Sequence, residues 1–194
     1  MSDVLNDALA RTVQATRAAQ NLSVADLAQR SGVSRAMIAR IERSDVQPTA
    51  ALLARLSAGL GLTLSELIVQ AESDGSRLQY RDDQKIWTDP ETGYSRRSLS
   101  PSESTALELV EVTLPPGAVV AYPAEAYRFI DQQIWVIEGS LDFTEGADLH
   151  ELRAGDCLAL GEPVDCTFFN PGAMDCRYLV ALTKVSRFGA LQLR

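Results

Sequence analysis

The chain has 194 residues, 46% of them hydrophobic, and a formal net charge of −8. That is enough apolar material for two modest cores. No apolar run reaches the roughly 20 residues of a membrane span, and the N-terminus lacks the basic-then-apolar pattern of a signal peptide. The charge is unevenly placed: residues 1–70 hold seven arginines and six carboxylates, net +1, and residues 71–194 hold eleven basic and twenty acidic residues, net −9. Cys157, Cys166 and Cys176 are an odd set without C-x-x-C spacing, which points to reduced thiols in the cytoplasm rather than a disulfide scaffold.

Leu5, Leu9, Val13 and Thr16 recur at helical spacing and predict a first helix over about residues 4–19. Ser23 is placed to cap a second helix, with Asp26 in its first turn. Gly32 stands where the chain must reverse, and Ser34 caps a third helix from Arg35 to about Arg43. Leu27, Ala28, Val33, Ile38 and Ile41 fall where two crossing helices share apolar side chains. Pro48 is expected to open a fourth helix, ended by Gly59 and Gly61, and Thr63 with Glu66 forms a capping box for a fifth. Two short helices around such a turn make a helix-turn-helix, whose second helix enters the DNA major groove.

The stretches LAQRSGVSRAMIARIERSDVQPTAALLARLSAGLG and TLSELI resemble the five-helix DNA-binding domain of the lambda-repressor-like, xenobiotic-response-element type, over residues 7–69. In that family the residues matching Arg35, Ala36 and Arg40 read bases. An arginine bridges guanine O6 and N7 with two hydrogen bonds, and Ala36 can touch a thymine methyl. Gln29, Ser34 and Ser44 are expected to clamp the phosphate backbone, and Arg43, beyond the reading turn, to contact a phosphate. The resemblance also implies that Arg17 of the first helix pairs with Glu42. A reading domain so close to neutral binds DNA weakly alone, so a homodimer on a palindromic operator is expected.

Residues 71–79 read as a polar linker, and residues 80–101 as an arm into the first strands, with Arg96 and Arg97 alternating along one of them. From Ala106 the pattern changes to period two. ALELVEVTL, RFIDQQIWVIEGSLDF, ADLHELRAGDCLAL, CTFFNPG and CRYLVALTKV are strands separated by Gly-rich turns, which predicts a β-sandwich or barrel. PPGAVV, QIWVIEGSLDF and LRAGDCLALGEPVDCTFFNPG resemble the two motifs of the cupin barrel, over residues 105–185. The fold expected is thus multidomain: an all-α bundle (1–70), a linker (71–79) and an all-β cupin domain (80–194).

The cupin metal ligands are replaced. Two histidines, a carboxylate and a further histidine are usual in the enzymes. Here Ala126 and Arg128, Gln132, and Cys166 stand at those positions, while the single histidine, His150, lies elsewhere. No cofactor or metal is expected on such a set. Arg128, Gln132, Cys166 and Phe168 are the expected effector-binding residues, with Arg128 as the anion anchor; Trp135 and Tyr178 are open as further lining residues. A Cys166 thiolate stabilised by Arg128 would make that residue a redox or electrophile sensor. The reading is a transcriptional regulator, by resemblance a repressor, tuned by a small polar molecule; a cupin enzyme tethered to a DNA-binding domain is the alternative.

Overall fold

The computed structural model describes residues 2–69, 77–101 and 107–184. Most of the expected linker, and strand residue Ala106, lie outside them. None of the described helices is long and apolar enough to cross a membrane.

The helical part runs α1 (Ser2–Ala19), α2 (Val24–Ser31), α3 (Arg35–Glu42), α4 (Ala50–Gly59) and α5 (Leu64–Val69). Ser23 accepts from the Asp26 amide while the Asp26 carboxylate accepts from the Ser23 amide, a complete capping box at α2. Gly32 ends α2 at φ +66, a left-handed conformation that suits a residue without Cβ. Ser34 caps α3 through the Met37 amide. Thr49, not Pro48, caps α4; Pro48 stands two residues before the helix and is buried. The side chain of Glu66, and with it the expected capping box at α5, lies outside the described residues. Leu9, Val13, Leu27, Val33, Ile38, Ile41, Leu53 and Leu56 form the shared core. Ala28 is only half-buried at its margin.

Among the described residues ten strands follow: β1 (Ile86–Thr88), β2 (Ser95–Ser98), β3 (Leu107–Leu114), β4 (Val119–Tyr122), β5 (Ile130–Glu138), β6 (Ser140–Glu145), β7 (Asp148–Arg153), β8 (Cys157–Ala159), β9 (Cys166–Phe169) and β10 (Cys176–Lys184). They form two antiparallel sheets, ordered β1-β2-β3-β10-β5-β8 and β4-β9-β6-β7. Among the described residues no ladder joins one sheet to the other. The expected closed barrel is therefore a two-sheet sandwich, open at its edges.

Alternation sends Val110, Val112, Ile134, Val136, Tyr178 and Val180 inward from the first sheet, and Val120, Tyr122, Leu141, Phe143 and Phe168 inward from the second. Phe168 packs at 4.8 Å from Phe143 and stacks on Tyr178 at 5.8 Å. Gly139 turns β5 into β6 at φ +82, and its backbone lies so near Cys176 that a Cβ there would sit 3.0 Å from the Cys176 Cα.

The helical part is docked directly on the sandwich. Ala50, the first residue of α4, donates its amide to Asp89 Oδ2 at 2.6 Å, from the loop between β1 and β2. The Gln47 amide reaches the Thr88 carbonyl at 3.3 Å, and the Thr63 hydroxyl reaches the Glu108 carboxylate of β3 at 3.1 Å.

Candidate functional site

Two places are candidate sites: the outer face of α3, and the cavity beneath α4. On α3, Ile38 and Ile41 face the core, leaving Arg35, Ala36 and Arg40 exposed on the opposite side. Ser34 is exposed at the helix start, with its hydroxyl oxygen taken by the Met37 amide and its own proton left to donate. Gln29 is exposed on α2. Ser44 is half-buried with a left-handed φ of 59, so it terminates α3 as a backbone turn. Arg43 is solvent-facing and bonded to Asp45 at 2.8 Å, a surface pair easily exchanged for a phosphate.

The α3 helix is held by Arg17 and Glu42. Arg17 Nε donates to Glu42 Oε1 at 2.7 Å and Nη2 to Oε2 at 2.9 Å, and Nη1 donates to the Leu22 carbonyl. This bidentate bond raises the Arg17 pKa above its ordinary value, against the opposing effect of burial. Glu42 is therefore occupied within the fold and unavailable to DNA.

The second place is a half-open cavity of about 40 Å³ lined by the helical part and the sandwich. Ala54 and Ser57 of α4, with Thr63 and Leu64, form its roof, and the inner face of the sandwich forms its floor. Arg96 projects into it from β2, only 8% exposed, while its neighbour Arg97 faces the other way. Arg96 Nη1 donates to Tyr94 Oη at 3.0 Å, and Tyr122 Oη donates to the same oxygen at 3.0 Å. Burial works against the guanidinium charge, but the surrounding Tyr94, Tyr122 and Tyr178 oxygens outweigh it and hold the Arg96 pKa up. Burial pushes the Tyr122 and Tyr178 phenols well above their ordinary values, so both stay neutral O–H donors.

Of the effector residues expected from sequence, Gln132 and Phe168 line this cavity and Arg128 does not. Arg128 is exposed at the end of a short 3-10 turn, Ala124–Tyr127. The arginine that lines this cavity is Arg96, whereas Arg128 follows the 3-10 turn and faces solvent. Tyr178 faces inward, whereas Trp135 points outward and is 48% exposed. Cys166 is buried in an adjoining space with Gln132 and Tyr127. Burial pushes its thiol up to about 11, so the thiolate sensor expected there lacks its thiolate. His150 stacks on Phe143 at the side of β7, away from the cavity.

Arg96 carried a sequence signal, the Arg-Arg pair on a strand, but pattern alone does not say which arginine faces in. The α4 contribution had no signal at all. Gly59 of α4 lies against α2, where an added Cβ would meet the Ser31 Cβ at 2.9 Å, so the two helices pack closely at that point.

The Helix-turn-helix family model matches residues 13–67, which span α1 to α5. Those residues belong to the helix-turn-helix family. The chain is 25% identical to the HTH-type transcriptional regulator SutR of Escherichia coli (strain K12) over 166 residues, covering 84% of this chain and 88% of that protein. It is 26% identical to the HTH-type transcriptional regulator PuuR of the same organism over 169 residues, 86% and 90% of the two chains. The crystal structure of an HTH_3 family transcriptional regulator from Vibrio cholerae superposes with a TM-score of 0.74 at 22% identity, over 94% of this chain and 98% of that one. The likeness therefore spans the β-rich part as well as the helices.

Proposed function

We propose that the chain is a sequence-specific DNA-binding transcriptional regulator, acting as a homodimeric repressor on a palindromic operator and responding to a small molecule held by a cupin-type β domain. The observation that carries this reading is the face of α3. Arg35, Ala36 and Arg40 stand free on a helix that is capped by Ser34 and locked by the Arg17–Glu42 pair. The names of the two curated relatives support it. Residues 1–70 are the reading domain, 71–79 the linker and 80–194 the effector and dimer domain. Gln29, Ser34, Arg43 and Ser44 position the phosphate backbone, and Arg35 and Arg40 read guanines. The domain works without catalysis, because Ala126, Arg128, Gln132 and Cys166 offer a metal at most one good donor.

Binding competition tests the reading. Arg35→Ala is expected to cost about 1–3 kcal/mol on the cognate site and to relax preference at one base pair. Arg43→Ala should weaken all sequences alike and lower the salt slope by about one. Identical specificity profiles for the two variants would remove α3 as the reader.

The dimer interface is assigned to the outer face of the larger sheet. Trp135 and Ile137 of β5 are 48% and 38% exposed there, beside the short edge strand β8. Trp135→Glu should turn a dimer into a monomer at micromolar concentration in sedimentation, and weaken operator binding with it. Half-site centres are expected about 34 Å apart, or at a multiple of the helical repeat.

A further inference from the structure

We infer that docking of the β domain weakens the DNA grip of the reading head, because it seats the acidic β1–β2 loop, with Asp89 and Glu91, beside the α3–α4 loop that carries the phosphate contacts. This rests on the regulator reading and names how the β domain sets DNA affinity.

Two contacts place the loops side by side. The Gln47 side chain, close behind Ser44 in the α3–α4 loop, donates to the Thr88 carbonyl at 3.3 Å. One carboxylate then bridges the domains: Asp89 Oδ2 accepts from the Ala50 amide at 2.6 Å, and Oδ1 accepts from the Glu91 amide at 2.9 Å. The Glu91 backbone therefore stands one carboxylate away from the start of α4, inside the roughly 8–10 Å over which charges act at physiological salt. The Glu91 side chain is exposed and makes no hydrogen bond or ion pair among the described residues. Arg43, at the other end of the same short loop, is held by the exposed Asp45 at 2.8 Å. When Arg43 exchanges Asp45 for a backbone phosphate, that phosphate enters the neighbourhood of Glu91.

The sign of the effect follows from charge. Residues 71–194 carry a formal −9 and residues 1–70 only +1. Docked, the acidic domain adds its repulsion to every phosphate that the reading head approaches. Undocked, the head meets DNA with its own near-neutral charge. The two arrangements thus differ in DNA affinity, and by linkage DNA favours undocking to the same extent.

The test measures binding of the full chain to a random-sequence duplex of about 30 bp at about 50 mM salt, where backbone charge dominates. Glu91→Gln should tighten binding about threefold, the effect of one charge at about 8 Å from a phosphate in water. Glu91→Lys changes the charge by two and should tighten it by about the square of that factor. Both gains should fade as salt is raised toward about 1 M, where the screening length is about 3 Å. Glu151→Gln is the control. Glu151 is exposed on β7, three strands and roughly 14 Å beyond the β4 that α4 touches, and its loss should leave binding nearly unchanged. Asp89→Asn, which loosens α4, should tighten binding more than Glu91→Gln does, because it releases the whole acidic domain; should that variant fail to fold, the two Glu91 variants decide the matter. Unchanged binding in both Glu91 variants, gains no larger than that of Glu151→Gln, or weaker binding by a folded Asp89→Asn would overturn the inference. Selection of duplexes from a random library by the parent chain separates the two readings. A selected sequence together with unresponsive Glu91 variants removes this inference alone. No selected sequence, together with tighter binding by the Glu91 variants, removes the regulator reading and leaves the electrostatic effect standing.

Discussion

Glu42→Ala is expected to destabilise the helical domain by about 3–5 kcal/mol, the cost of leaving a buried partner charge uncompensated. The Glu42 side chain is 7% exposed and that of Arg17 15%, and two parallel hydrogen bonds of 2.7 and 2.9 Å join them. Removing the carboxylate strands Arg17 Nε and Nη2 between α1 and the end of α3, where water has little access. The pair ties the first helix to the reading helix, so operator binding should fall together with stability, equally for all DNA sequences. Urea denaturation of the single variants and of the double variant Arg17→Met with Glu42→Leu checks the assignment. The double variant should be the more stable, since both charges leave together. Single variants within about 0.5 kcal/mol of the parent would show the pair to be a solvated surface contact.

Asp89→Ala is expected to cost about 2–4 kcal/mol and to uncouple the two domains. Asp89 is 4% exposed and accepts on both oxygens: Oδ1 takes the Glu91 and Thr92 amides and the Thr92 hydroxyl, and Oδ2 takes the Ala50 amide across the domain boundary. The Ala50 amide is one of the donors that a helix start leaves without an intrahelical partner, and the negative carboxylate also suits the positive end of α4. Asp89→Asn separates the two roles. Its single amide oxygen can hold the β1–β2 loop, while its NH2 group opposes the Ala50 amide. That variant should keep the β domain intact and loosen α4. Helix circular dichroism and tryptophan fluorescence, whose two reporters Trp87 and Trp135 both lie in the β domain, are expected to coincide on unfolding of the parent and to separate into two transitions in the variant. Coincident transitions in Asp89→Asn would mean that other contacts hold the domains together.

The local elements were legible because their causes are local. Ser23 with Asp26, Gly32 and Ser34 act within a few residues of themselves, and they bound α2 and α3 where the pattern placed them. Pro48 misled by one step: a rigid φ suits a helix start, but Thr49 has the side-chain oxygen that accepts from the Leu52 amide. Period-two alternation located most strands, since the inward side chain of every second residue is imposed by the pleat. It did not locate the sheet edges. Whether ten strands close into a barrel depends on pairing between residues far apart in the chain, and here they stop at two sheets.

The sequence by itself determined a capped α3 with Arg35 and Arg40 off its apolar side, and a β-rich second part with a single histidine, His150. Those are properties of residue type and short-range spacing. Only the tertiary structure decided which cation faces the cavity. Arg96 and Arg97 are equivalent in pattern, and the pairing of β2 with β3 turns the first inward and the second outward. Arg128, expected inside, leaves the strand rhythm at a 3-10 turn and ends exposed. The roof over Arg96 was wholly tertiary, because Ala54 and Ser57 read as ordinary small residues of a helix until α4 is docked on the sandwich. Docking sums weak long-range contacts, from Asp89 to Ala50 and from Thr63 to Glu108, and no local pattern encodes such a sum.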